Sequence, residues 1–320
     1  VEFIKYLYKF RWLHAVSFLI LIENTNFDRK FINTTIVIFK ATIIISFIVS
    51  MYQQFFDQYF LMPEETRLAY FYRNIYDIRL NSIFGYLSSV DINMSFMSIV
   101  SILIGYYLYQ DKNLNLLWLF MAGMVVFVNK FRYLYLNFFI ILFQYIVARK
   151  VHFSTIFKLA LIVPVLLFFS LWILENFGFD FSQFIQERLY AESARTRLLA
   201  IDLFMEFFPR NPFFGSGVHV GEDLEVMLAG RSTQIHVGYL SHLYSYGVIG
   251  TIILLITVYN VFKYYYTVAV RHKYYGSLFV IIVYLITNLT QVHFLFYHYG
   301  FLFAFIFNKY INDLPAWEDS

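Results

Sequence analysis

The chain has 320 residues, of which 60% are hydrophobic and only 14% charged, far more apolar surface than a soluble domain of this length buries. Its formal net charge of +3 is too small to indicate nucleic acid as a partner. The absence of cysteine excludes disulfides, thiolate metal sites and cysteine nucleophiles.

Residues 1–33 carry Lys5, Lys9 and Arg11 ahead of an apolar stretch at 12–23 that is too short to span a bilayer. They read as a partial or interfacial N-terminal segment. The start at Val1 in an apolar context leads us to expect further residues, and helices, upstream. From residue 34 onward, apolar runs predict spanning helices at 34–55, 89–109, 114–129, 132–148, 155–175, 236–262, 275–291 and 293–311. The expected fold is therefore all-α: a polytopic integral membrane helix bundle over 34–320 with at least eight transmembrane helices.

If these spans alternate, Lys30, Lys40, Lys112, Lys150, Lys158, Lys263, Lys273 and Lys309 fall on one side. The positive-inside bias makes that side cytoplasmic. Segments 56–88 and 176–235 then become extracytoplasmic loops. Arginine follows the opposite distribution: Arg67, Arg73, Arg79, Arg132, Arg188, Arg195, Arg197, Arg210 and Arg231 all lie outside, where Lys130 is the one lysine. A plain topological signal does not separate the two cations. One reading pairs these arginines with Glu187, Glu192, Glu206, Asp223 and Glu225. The other is anion recognition, because guanidinium offers a planar fork of donors that matches phosphate bidentately and ammonium does not. Beside a bilayer, that anion is expected to be a lipid-linked phosphate or diphosphate.

In the second loop, Leu198, Ile201, Phe204, Met205 and Phe208 recur at helical spacing. They predict an amphipathic helix headed by Arg197 and lying on the membrane surface. Pro209 and Pro212 end it, and Gly215 and Gly217 permit a tight turn, either structural or ligand-binding. Residues 236–250 read H-V-G-Y-L-S-H-L-Y-S-Y-G-V-I-G and run into the next span. His236 sits at the start of that helix, where an imidazole held neutral by the positive helix end can accept a proton from a hydroxyl. The plainer reading makes it an interfacial polar residue, and the same applies with more force to His242.

The order Arg197, N-P-F-F-G-S-G at 211–217 and H-V-G-Y-L-S-H-L-Y-S-Y-G-V-I-G at 236–250 resembles the O-antigen ligase and O-antigen polymerase superfamily. That family's pattern is an arginine-led amphipathic helix, an N-P-x-x-G-x-G turn, and a histidine followed by asparagine, a tyrosine-leucine pair and G-x-x-G. R-L-N-S-I-F-G at 79–85 is similar to its arginine-bearing first loop, and Arg132 falls where it has a serine-arginine pair. Val237 stands in place of the family's asparagine and Phe131 in place of its serine.

The resemblance implies a metal-independent, inverting glycosyltransferase on the outer face of the bacterial cytoplasmic membrane, using glycan carried on undecaprenyl diphosphate and no cofactor. Arg197, with Arg79, Arg132 and Arg195, would clamp the diphosphate; His236 would act as base; Tyr239 would position the acceptor. Expected partners are the lipid-linked glycan, membrane lipid and a chain-length regulator or other assembly protein. A polymerase of O-antigen, capsule or exopolysaccharide repeat units is the leading expectation. A ligase acting on lipid A-core or protein is the alternative on the same scaffold. Two other readings stand beside it. A flippase or transporter of lipid-linked oligosaccharide would show ionisable residues within spans and helices broken near mid-membrane. Another lipid-donor transferase would take its base from Asp57, Glu64 or Glu65.

Overall fold

A computed structural model describes residues 11–57, 59–61, 90–112, 116–128, 132–148, 201–217, 237–289 and 299–314. The expected span at 155–175 lies outside them, as do most of the loops 56–88 and 176–235. The described residues are helical with no strand. We number the elements α1 (Arg11–Glu23), α2 (Arg29–Phe55), α3 (Val90–Tyr109), α4 (Leu116–Val128), α5 (Arg132–Ala148), α6 (Gly238–His272), α7 (Gly276–Thr287) and α8 (Tyr299–Asn312). A further helical stretch at 201–207 continues into a short 3-10 turn, Phe208–Arg210. Two helices, α2 and α6, are long and apolar enough to cross a membrane. α3, α4, α5 and α7 are apolar but shorter over their described parts.

The start of α2 differs from the apolar pattern for a local reason. The Asp28 carboxylate accepts from Phe31 N at 2.6 Å, and this N-cap begins the helix at Arg29, ahead of the hydrophobic run.

The chain divides into two compact units. The first contains α1 to α5, the second half of α6 from residue 258, α7 and α8. α3 is its hub, packed on α5, α7 and α8. Gly105 makes one of these contacts possible: a Cβ there would lie 2.4 Å from Gly276 N, so α3 and the head of α7 meet backbone to backbone. Ser101 Oγ donates to Gly276 O at 2.9 Å and Gln144 Nε2 to Ser101 O at 3.0 Å. Toward the far end of the same interface, Asn137 Nδ2 donates to Thr287 Oγ1 at 2.8 Å. Phe39 packs edge-on against Phe303 and stacks on Phe307.

These contacts gather the lysines. Tyr106 near the end of α3 lies 3.5 Å from Asn33 near the start of α2, and Tyr109 packs edge-on against Tyr274 just before α7. Lys40 Nζ sits 5.0 Å above the Tyr107 ring. Lys30, Lys40, Lys112, Lys273 and Lys309 therefore share one end of this unit. Arg132, at the head of α5, belongs to the opposite end, where Asn93 Nδ2 donates to Tyr133 Oη at 3.0 Å.

The second unit contains the described residues 201–217, 237–257 and 288–289. It holds the loop and the helix start that the sequence singled out.

Candidate functional site

The 201–207 helix packs against α6 through Leu203, Phe204 and Phe207, which form a buried cluster with Tyr244. Leu240, Leu243 and Val237 close around that cluster. Of the expected surface stripe, Ile201 and Met205 are 41% and 67% exposed and Phe204 is buried, and the face turned to α6 also takes in Leu203 and Phe207. A helix with apolar residues on two sides has two partners available, and α6 takes the side of Leu203, Phe204 and Phe207. Val237 gains a physical account here, because its partly buried side chain packs against the cluster.

The helix then stops. Pro209 lies in the turn Phe208–Arg210, the Arg210 guanidinium lies 4.5 Å over the Phe207 ring, and Asn211 N donates to Phe208 O. Beyond this turn the chain forms a backbone clasp with α6. That helix is not continuous: Gly247 has φ 64° and ψ −171°, which breaks it into 238–246 and 248–272. A break of this kind leaves carbonyls at the end of one piece and N–H groups at the start of the next without helical partners. The loop 212–217 supplies them. Ser216 N donates to Tyr244 O and Gly217 N to Ser245 O, each at 2.9 Å, while Val248 N donates to Pro212 O at 2.9 Å and Ile249 N to Phe213 O at 3.1 Å.

Glycine is required on both sides of this crossing. Gly215 has φ 73°, and a Cβ on it would lie 2.5 Å from Gly247 N; a Cβ on Gly247 would lie 2.3 Å from Phe213 O. Gly217 has φ 76° but faces open space, so only its backbone conformation favours glycine. The expected tight turn at Gly215 and Gly217 is thus present, and its partner is Gly247. Sequence reasoning treated Gly247 as part of an uninterrupted span at 236–262. The signal for it was a glycine inside an otherwise apolar helical run, which ordinarily costs about 1 kcal/mol relative to alanine and so calls for a packing reason.

Tyr239 lies on the first turn of α6 and is half-buried. The same turn is anchored by Gly238 N donating to Asn288 O at 2.9 Å. His242 is buried and stacks on Tyr246 with ring centroids 4.8 Å apart, so it is a packed residue. Arg79, Arg195, Arg197 and His236 lie outside the described residues, as does the side chain of Arg132. By sequence, Arg197 precedes the described 201–207 helix by four residues and His236 precedes α6 by two.

No protein-family model matches this chain, and no curated protein matches it in sequence.

Proposed function

We propose that this protein is a multi-pass glycosyltransferase of the bacterial cytoplasmic membrane that polymerises oligosaccharide repeat units carried on undecaprenyl diphosphate, working on the extracytoplasmic face. The observation that supports this reading most is the clasp. N-P-F-F-G-S-G and the G-x-x-G end of the 236–250 motif are separated in sequence, yet they form one hydrogen-bonded unit around Gly215 and Gly247. A motif pair that has a joint structural reason is harder to attribute to chance than either half alone. The clasp ties the helix that Arg197 precedes to the helix that His236 precedes.

In this mechanism Arg197, with Arg79, Arg132 and Arg195, holds the leaving diphosphate and stabilises its developing charge. The acceptor hydroxyl oxygen attacks the anomeric carbon from the face opposite the diphosphate. The bond to the diphosphate oxygen breaks as the new glycosidic bond forms, and His236 takes the hydroxyl proton. Tyr239 positions the acceptor sugar. Ligation to lipid A-core or protein is the same chemistry with a different acceptor.

The break in α6 is the one observation that favours transport, since broken helices line transporter sites. There, however, the freed ends are left to bind the cargo or its ion. Here the carbonyls of Tyr244 and Ser245 and the N–H groups of Val248 and Ile249 are engaged by the loop backbone, and we therefore favour transfer.

Arg197→Ala and His236→Ala are each expected to abolish long-chain surface glycan while protein level and membrane insertion stay normal. Arg197→Lys is also expected to fail, because it keeps the charge and loses the fork. Full chain length in either alanine variant would sink the mechanism, and loss of activity in Glu64→Gln with Glu65→Gln, but not in His236→Ala, would move the base to the first loop. Deleting the gene separates the acceptors. Single repeats on lipid A-core mean a lost polymerase, and complete polymer stranded on the carrier lipid means a lost ligase.

A further inference from the structure

The tip of the clasp loop carries two of the most exposed aromatic side chains among the described residues, Phe213 at 66% and Phe214 at 78%. They do not stand alone. The carbonyls of Pro212 and Phe213 accept from Val248 and Ile249, and these two residues begin the exposed apolar run of α6. Val248, Ile249, Ile252, Ile253, Ile256 and Tyr259 are all between 39% and 64% exposed. Only 11% of the most apolar 18-residue stretch of α6 is buried. That stretch is therefore no soluble-protein core, and α6 lies well inside the chain, away from where a signal sequence would stand. Hydrocarbon is the environment that such a face suits.

A loop can share that environment only if its backbone polar groups are satisfied within the protein. This one meets the requirement in large part, and the two N–H groups left over, those of Phe213 and Phe214, suit the hydrated headgroup boundary from which the side chains reach inward. Asn211 N donates to Phe208 O and Gly215 N to Asn211 O, the N–H groups of Ser216 and Gly217 are held by α6, and the Pro212 and Phe213 carbonyls are filled by α6 as well. Arg210, stacked on Phe207, and Asn211 precede the two phenylalanines with Pro212 between, the sequence of polar anchor then apolar tip that suits a headgroup boundary. We infer that the 211–217 loop is seated at the headgroup boundary of the bilayer, with the Phe213 and Phe214 side chains inserted among lipid acyl chains next to the outer end of the lipid-facing run of α6. This rests on α6 crossing the membrane and is independent of glycosyl transfer.

The cysteine-free sequence makes the test direct. Phe213→Cys, Phe214→Cys, Ile253→Cys and Lys112→Cys are each spin-labelled on the full chain in phosphatidylcholine and phosphatidylglycerol vesicles. Collisions with oxygen, which partitions into lipid, are compared with collisions with a water-soluble nickel chelate. Both loop positions are expected to favour oxygen, as Ile253 on α6 does, while Lys112 favours nickel. Nickel preference at both phenylalanines would overturn the inference by placing the tip in water. Exclusion of both reagents would overturn it by placing the tip against another protein surface. Phe214→Trp gives a second reading without a label: quenching by brominated acyl chains beyond that of the four native tryptophans is expected, and none beyond it counts against lipid contact. Neither result depends on whether His236→Ala is active, so the seat and the proposed reaction fail separately.

Discussion

The two units are held together by different parts of the chain. In the first, side chains make most of the described contacts, Phe39 with Phe307, Ser101 with the Gly276 carbonyl and Asn137 with Thr287, beside a close backbone approach of Gly105 to Gly276. In the second, the loop at 212–217 and the break in α6 are joined backbone to backbone, and the side chains that matter most at the crossing are the two that are absent, at Gly215 and Gly247. A side-chain interface degrades gradually, because neighbours shift and alternative partners exist. A backbone crossing with a closest approach under 3 Å for any added Cβ has no such tolerance. The second unit should therefore respond to substitution in an all-or-none way, and the first in small steps except where Gly105 meets Gly276.

The largest expected effect is at the crossing itself. In Gly247→Ala or Gly215→Ala, the left-handed conformation alone costs roughly 1–2 kcal/mol. Opening the clasp also gives up its four backbone hydrogen bonds, each worth about 1 kcal/mol net. Hydrogen exchange in detergent micelles checks this: the amides of Ser216 and Gly217 should lose protection in both variants while those of α3 keep theirs. Equal loss across α3 would show that the clasp is not a local unit. Next in size is Gly217→Ala, with nearly the same φ as Gly215 but open space around it. It should cost about 1 kcal/mol from backbone strain and leave the clasp closed, and Gly217→Asn should recover part of that because asparagine tolerates the left-handed region. If Gly217→Ala proves as severe as Gly215→Ala, close approach is not what distinguishes them.

The contrast also explains how much was legible in the sequence. The helices of the first unit could be read because apolar side chains both mark them in the sequence and pack them, so the runs at 89–109, 114–129 and 132–148 coincide with α3, α4 and α5 to within a few residues. The start of α2 was misplaced because an aspartate cap, not apolarity, sets it. The α6 break was missed since backbone hydrogen bonds leave no trace in hydropathy, and Gly247 was its sole mark. Val237 was legible only as a departure from a pattern; its reason is contact with the cluster of Leu203, Phe204, Phe207 and Tyr244, which no local reading supplies. For the candidate site, the turn at Gly215 and Gly217 was readable from residue type. The face of the 201–207 helix that packs on α6 was not, because Leu203 and Phe207 lie off the stripe that periodicity picks out.

The smallest effect is expected at the first unit's buried amide. Asn137 Nδ2 donates to Thr287 Oγ1 and also lies 3.5 Å from Met94 Sδ, whereas its Oδ1 is buried with no hydrogen-bond partner among the described residues. Asn137→Ala, Thr287→Val and the double variant form a cycle whose coupling should be about 0.6 kcal/mol, the average for hydrogen bonds between membrane helices. The modest size follows from the reference state, in which each polar side chain finds another partner when the pair is broken. Asn137→Leu should be milder than the hydrogen bond alone suggests, because it removes a buried carbonyl oxygen together with the bond. Asn137→Asp should be worse than either, since it buries a charge beside Thr287 and Met94, neither of which can neutralise it. Should the cycle instead return several kcal/mol, the first unit would depend on one polar pair as sharply as the second depends on Gly247, and the distinction between graded and all-or-none response would fail. A small coupling, measured by SDS unfolding in mixed micelles beside the exchange data for Gly247→Ala, would place the intolerance of the molecule in a crossing of two backbones.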